Sequence, residues 1–182
     1  MNCFGYLEGV NGVKTGFTNG AGRCLVTSVS RNNFNIITVV LGADTKKIRT
    51  SDSIKLIEYT YKNYELVNIE KIVKEEFENW KSINQKRIKV EKSASDKIDI
   101  CLGKQAYKEY PIKKETENLI NFKANAKYNW EAPVEQNTQI GELIVYIDTK
   151  KIDEIEIKTL QNIPRKNTKI YMLELLCLYR YL

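Results

Sequence analysis

The sequence contains no histidine. That absence removes Ser-His-Asp and Cys-His catalysis and any histidine-ligated zinc. A proton relay near neutral pH would have to use a lysine, a carboxylate or a perturbed cysteine. The cysteines Cys3, Cys24, Cys101 and Cys177 form no C-x-x-C pair, so a zinc ribbon or dithiol redox motif is unsupported. No metal and no cofactor are expected. Cys24 and Cys101 sit in apolar, strand-like runs and read as buried free thiols, although spacing leaves a disulfide between distant cysteines open. No apolar stretch has the length of a bilayer. The longest, residues 170–182, falls short of the roughly 20 residues a spanning helix needs. The opening "MNCFGYLEG" has no apolar core of the kind a secretory signal requires.

Glycine is also scarce, and unevenly so. Seven of the nine glycines fall in the first 42 residues, leaving only Gly103 and Gly141 beyond them. That shift marks two regions built to different rules. The chain of 182 residues is long enough for a real core, and its aliphatic residues are spread throughout, which argues against extended disorder. The net charge of +6 belongs to the two ends: residues 1–62 carry +4, 63–164 carry −1 and 165–182 carry +3. A nucleic-acid binder would show one dense basic stripe. The charge and the 11 tyrosines leave the glycine cluster unexplained, so no nucleic-acid partner is expected.

In the first region Val13–Thr18 and Cys24–Ser30 read as strands, with a turn at Arg31-Asn32-Asn33. The nearly all-apolar "FNIITVVL", Phe34–Leu41, suits a strand covered on both faces. Short links between three strands imply an antiparallel meander. Apolar residues at Ile54, Leu56, Ile57 and Tyr61 come close to helical spacing, and Asp44 or Thr45 could cap a helix over Lys46–Tyr61. After Tyr64 the texture changes to Lys, Glu and Asn with alternating pairs such as Ile88-Lys89-Val90 and Ile155-Glu156-Ile157. Period-two alternation predicts half-buried strands, here over Ile140–Ile147 and Glu154–Leu160 with a turn at "TKKID". The expected fold class is α+β: a meander with a helix over 1–62, then a small all-β sandwich over 63–164. Residues 165–182 form a basic-apolar tail, either an interfacial segment on anionic lipid or a helix packed on the protein.

The glycine-rich start surrounds Lys14-Thr15-Gly16. A Lys-Thr-Gly triplet on a strand edge has a legible chemistry. The lysine supplies positive charge for an anionic substrate, and the threonine hydroxyl can donate to a carboxylate. The glycine clears a side chain, so that a peptide can lie along the strand as an added one. K-T-G is one of three elements, with S-x-x-K and S-D-N, that mark penicillin-binding proteins and serine β-lactamases.

"GVNGVKTGFTNGAGRCLVTSVSRNNFNIITVVLGADTKKIR" resembles the corresponding stretch of the low-molecular-mass D-alanyl-D-alanine carboxypeptidases. "APVEQNTQIGELIVY" is similar to their β-rich C-terminal domain. The resemblance implies that residues 1–62 end a transpeptidase-like domain. It implies that Lys14, Thr15 and Gly16 are the third catalytic motif and that the Phe17 backbone N–H is an oxyanion donor. Arg49, reached from Lys14 without a gap, matches an arginine that holds the substrate's terminal carboxylate. Read without the family, Arg49 is an exposed basic residue near a helix start. The implied partners are peptidoglycan stem peptides ending in D-Ala-D-Ala, β-lactams and an anionic membrane surface, on the extracytoplasmic face of a bacterial membrane.

The nucleophile of that family lies in Ser-x-x-Lys, and no serine here is followed three positions later by lysine. Ser30-Arg31-Asn32 copies Ser-x-Asn but stands after Lys-Thr-Gly, against the family order. The chain therefore reads as the C-terminal portion of a serine carboxypeptidase, inactive alone. The alternative is a non-catalytic β-domain module for membrane-proximal positioning or interaction. Standing alone, the first region would expose an apolar sheet face and an unpaired strand edge.

Overall fold

A computed structural model describes residues 7–93, 95, 97–169 and 172. The chain divides into two compact units. One runs to Val67 and takes in Pro111–Glu117; the other comprises Asn68–Tyr110 and the chain from Asn118 onward. The α+β class is what the structure shows.

The first unit is built on three antiparallel strands in sequence order, β1 (Val10–Thr18), β2 (Gly22–Arg31) and β3 (Phe34–Ala43). Asn32 and Asn33 both take positive φ at the β2–β3 turn, as the two central residues of a tight hairpin require. Helix α1 (Lys46–Asn63) follows, with the Thr45 side chain accepting from the Ile48 N–H at its N-terminus. Arg49, Ser53 and Ile57, four residues apart, form its buried stripe. The core joins Leu25, Val29, Val40 and Ala43 of the sheet to Ile57 of the helix. Within it the Ser53 hydroxyl lies 3.1 Å from the Thr27 hydroxyl and 3.0 Å from that of Thr38, so three buried polar groups satisfy one another. At the far end of the helix the Tyr61 hydroxyl donates to the Val29 and Phe34 carbonyls, and Arg31 stacks on its ring while pairing with Glu58. A short strand β4 (Tyr64–Val67) closes this region and pairs with β7 (Tyr110–Lys113).

The second unit contains an element the sequence reading did not find, helix α2 (Ile69–Asn84). The Asn68 side chain accepts from the Lys71 N–H, and Ile69, Val73 and Phe77 are buried at four-residue spacing. The Lys-Glu-Asn texture that suggested strands supplies i,i+4 pairs on the solvent face instead, Glu70–Lys74 and Lys71–Glu75. The strands are β5 (Lys89–Glu91), β6 (Ile100–Leu102), β8 (Ile120–Ala126), β9 (Asn129–Glu131), β10 (Gln139–Ile147) and β11 (Lys150–Thr159). Four of them form an antiparallel sheet in the order β6-β11-β10-β8, and β5 pairs in parallel with β9. Leu143 faces Ile155 across the central pair, and both are buried, while Glu142 and Glu156 point the other way. The β10–β11 turn is at Asp148-Thr149, so the expected "TKKID" turn is shifted and its lysines begin β11. Gly141 is required by packing, since a Cβ there would lie 2.4 Å from the Asn125 carbonyl oxygen on β8.

Cys24 and Cys101 are free thiols as expected, half-buried rather than buried. Cys3 and Cys177 lie outside the described residues, as does the 170–182 tail apart from Met172. Among the described residues no helix is long and apolar enough to cross a membrane, and no cluster of three potential metal ligands occurs.

Candidate functional site

Lys14, Thr15, Gly16 and Phe17 all lie on β1, the outer strand of the three-stranded sheet. The side of β1 away from β2 has no partner strand among the described residues, so alternate backbone N–H and C=O groups there are open to an added strand. Register then assigns each side chain to a face. Thr15 stands opposite Leu25 and Phe17 opposite Arg23, on the face that carries α1; Arg23 stacks on the Phe17 ring at 4.7 Å. Lys14 stands opposite Val26 and Gly16 opposite Cys24, on the other face.

Arg49 is not the exposed residue that a helix start suggests. It is 6% exposed, on the stripe of α1 that meets the sheet. Ser53 touches the Thr27–Thr38 pair. Leu25 is the cross-strand partner of Thr15. Thr15 therefore lies on the face of the sheet against which α1 buries Arg49, and Lys14 lies on the opposite face. The Lys14 ammonium is exposed and, among the described residues, donates only to the Thr15 carbonyl, at 3.3 Å.

The Arg49 guanidinium makes no ion pair among the described residues, and its buried Nε has no hydrogen-bond partner. A buried, unpaired guanidinium N–H carries a desolvation penalty that folding alone does not repay. Arg49 lines a shallow groove of about 550 Å³ with Lys46, Lys47, Thr50, Ile54 and Lys55. The first turn of α1 has no acidic residue, although acids are favoured at helix N-termini. The lining is basic, and of its lysines Lys55 pairs with Asp52 at 3.1 Å.

Gly16 gives a second sign. Unlike Gly9 and Gly22, which take positive φ and lie against backbone, Gly16 has room: an added Cβ would meet the Cys24 Cβ at 3.8 Å, an ordinary contact. Packing within this chain does not demand a glycine there. Gly16→Ala is accordingly expected to leave stability within about 1 kcal/mol of wild type in a denaturant titration. By the same measurement Gly141→Ala should be clearly destabilising.

Similarity to known proteins covers β1 and extends well past it. The D-alanyl-D-alanine carboxypeptidase family model matches residues 3–45, which include β1 and the Lys-Thr-Gly triplet. The model of the penicillin-binding protein 5 C-terminal domain matches residues 73–165 and so accounts for half of the chain. The chain belongs to the D-alanyl-D-alanine carboxypeptidase family and corresponds to the C-terminal portion of its members. The relatives include the carboxypeptidase DacF of Bacillus subtilis (strain 168), 28% identical over 154 residues, covering 82% of this chain and 36% of that protein. DacA of Escherichia coli (strain K12) is 28% identical over 158 residues, covering 87% and 37%. DacC of the same strain is 45% identical over 58 residues, covering 32% and 14%. The chain thus spans little more than a third of the length of these first two relatives. Among solved structures, the fold is similar to that of a carboxypeptidase from Francisella tularensis (TM-score 0.54, 21% identity, 88% of this chain and 38% of that one). It is equally similar to that of penicillin binding protein 5 from Haemophilus influenzae (TM-score 0.54, 22% identity, 87% and 43%).

Proposed function

We propose that this chain supplies the substrate-gripping wall of a serine-type D-Ala-D-Ala carboxypeptidase, the activity named for its relatives. The substrate is a peptidoglycan stem peptide, and the reaction passes through an acyl-enzyme on a serine. The carrying observation is that Thr15, on the outer strand β1, and Arg49, whose Nε has no partner among the described residues, lie on one face of the sheet. In this reading the peptide lies along β1 as an added strand. The Thr15 hydroxyl and the Arg49 guanidinium donate to its terminal carboxylate, and two donors with a fixed fork hold it in one register. Lys14 contributes charge from the opposite face, and Gly16 leaves the strand clear. The Phe17 N–H donates to the oxygen that gains charge as the scissile carbonyl is attacked. β-Lactams enter the same cleft. Residues 1–62 are the end of the transpeptidase-like domain, 63–164 the β-rich domain, and 165–182 a segment that meets an anionic membrane surface on the extracytoplasmic side.

None of these groups is a nucleophile. Ser-x-x-Lys occurs nowhere in the 182 residues, and binding contacts and oxyanion donors act only on a reaction that another group starts. The chain alone is expected to form no covalent product with a fluorescent penicillin, read by intact mass. A stoichiometric adduct would overturn this account. A second reading, a non-catalytic module for membrane-proximal positioning or interaction, draws on the match over 73–165. It predicts that removing the Thr15 hydroxyl and the Arg49 charge changes no binding property of the chain.

A further inference from the structure

The second unit carries a lysine-rich groove that the proposed function does not use. It has a volume of about 410 Å³, and its lining includes Lys86, Lys89, Lys92, Lys166, Glu91 and Ser93. Lys86, Lys89 and Lys92 are exposed. Lys92 is paired with Glu131 at 2.5 Å, and Arg165 lies 3.7 Å from the same carboxylate. Lys86 and Lys89 have no ion pair among the described residues. The backbone around β5 places them there. Lys89 points to solvent from the strand while Ile88 beside it is buried, and Lys86 sits on the short turn that follows α2.

The groove is also where the tail is rooted. Ser93 bridges to Arg165, and the Lys166 N–H donates to the Lys92 carbonyl at 2.8 Å. The apolar segment begins at Ile170, four residues beyond Lys166. Four residues span at most about 14 Å. A surface entered by residues 170–182 therefore lies within about two Debye lengths of Lys166 at physiological ionic strength, even with the linker fully extended. Stable membrane attachment takes two signals, and a short apolar segment is only one.

We infer that the Lys86-Lys89-Lys92-Lys166 groove is a docking surface for anionic phospholipid headgroups, which sets the second unit against the bilayer that the tail enters. This rests on the membrane-surface reading of residues 165–182. Both signals act together: the tail supplies apolar burial and the groove supplies selectivity for anionic lipid.

The test uses the full 182-residue chain in co-sedimentation with phosphatidylcholine vesicles, with and without phosphatidylglycerol. Wild type is expected to favour the anionic vesicles. K86E/K89E should lose about tenfold or more of its partition to them, since each basic residue near such a surface is worth about 1 kcal/mol and about 1.4 kcal/mol is tenfold. It should match wild type on neutral vesicles. K86Q/K89Q, which adds no repulsion, should lose less. L173D/L176D should weaken binding to both vesicle types, and failure there alone overturns the tail reading. If K86E/K89E and K86Q/K89Q, folded by circular dichroism, bind anionic vesicles as wild type does, the groove has no such role. Equal binding of wild type to both vesicle types would also overturn it.

Discussion

In dilute buffer the chain is expected to self-associate and to bind an apolar dye, and I37T/V39T/L41T should abolish most of both. The outer face of the three-stranded sheet is the cause. Val39 stands opposite Val26 and Ile37 opposite Ser28, on the face away from α1. Ile37 is 72% exposed, Leu41 70%, Val39 53% and Val26 38%. Alternation along β3 puts Val40 and Thr38 in the core and leaves their neighbours bare. Beside this face, β1 presents an edge with no partner strand among the described residues. An apolar face next to an open edge is an association site on physical grounds. Threonine keeps the β-branched shape of Ile37 and Val39, introduces it at Leu41, and suits a strand at all three exposed positions, so unfolding free energy should move by less than about 1 kcal/mol. Dye fluorescence should fall several-fold, and analytical ultracentrifugation should show a shift toward monomer. If the triple variant associates as wild type does, the face is not the cause.

Replacing Arg49 with methionine is expected to separate binding from stability. A buried arginine held only for structure would lose its contacts, and the chain would weaken by the several kcal/mol typical of broken buried pairs. Among the described residues the guanidinium has no partner to lose, and its Nε is unsatisfied. Methionine covers similar apolar surface without the desolvation cost, so R49M should unfold at the same denaturant concentration as wild type or a higher one. Its affinity for a peptide with a free C-terminal carboxylate should fall about tenfold or more, the loss of a charge-assisted hydrogen bond. A large drop in stability would mark Arg49 as a structural residue.

The first unit was legible in the sequence because its signals are local. The strand run at Phe34–Leu41, the Asn32-Asn33 turn and the Thr45 cap each determine their own few residues, and the structure has them within about two positions; the run is not covered on both faces as its apolar composition suggested, since β3 is an outer strand with Ile37, Val39 and Leu41 exposed. The second unit was harder. Lys and Glu over 70–81 hid the four-residue spacing of Ile69, Val73 and Phe77, and Asn68 as a cap was the signal that could have revealed α2. The triplet at Lys14 was visible because its glycine setting is unusual. Its sidedness was not. That Thr15 and Arg49 share a face depends on the register between β1 and β2 and on how α1 crosses the sheet. Neither can be read from spacing along one strand. The burial of Arg49 was missed for the same reason, since only the packed helix shows which of Lys46, Lys47 and Arg49 turns inward.

The central claim is that Thr15 and Arg49 together hold a peptide carboxylate at the edge of β1. A nuclear magnetic resonance titration of the isotopically labelled chain tests it directly, because the Arg49 Nε–H has no partner among the described residues and will respond to one. An N-acylated peptide ending in D-alanyl-D-alanine should move the Arg49 Nε–H and the Thr15 and Phe17 amide signals together, and the same peptide as its C-terminal amide should not. Equal shifts with the acid and the amide, or a carboxylate response that leaves Arg49 and Thr15 unmoved, would contradict the account.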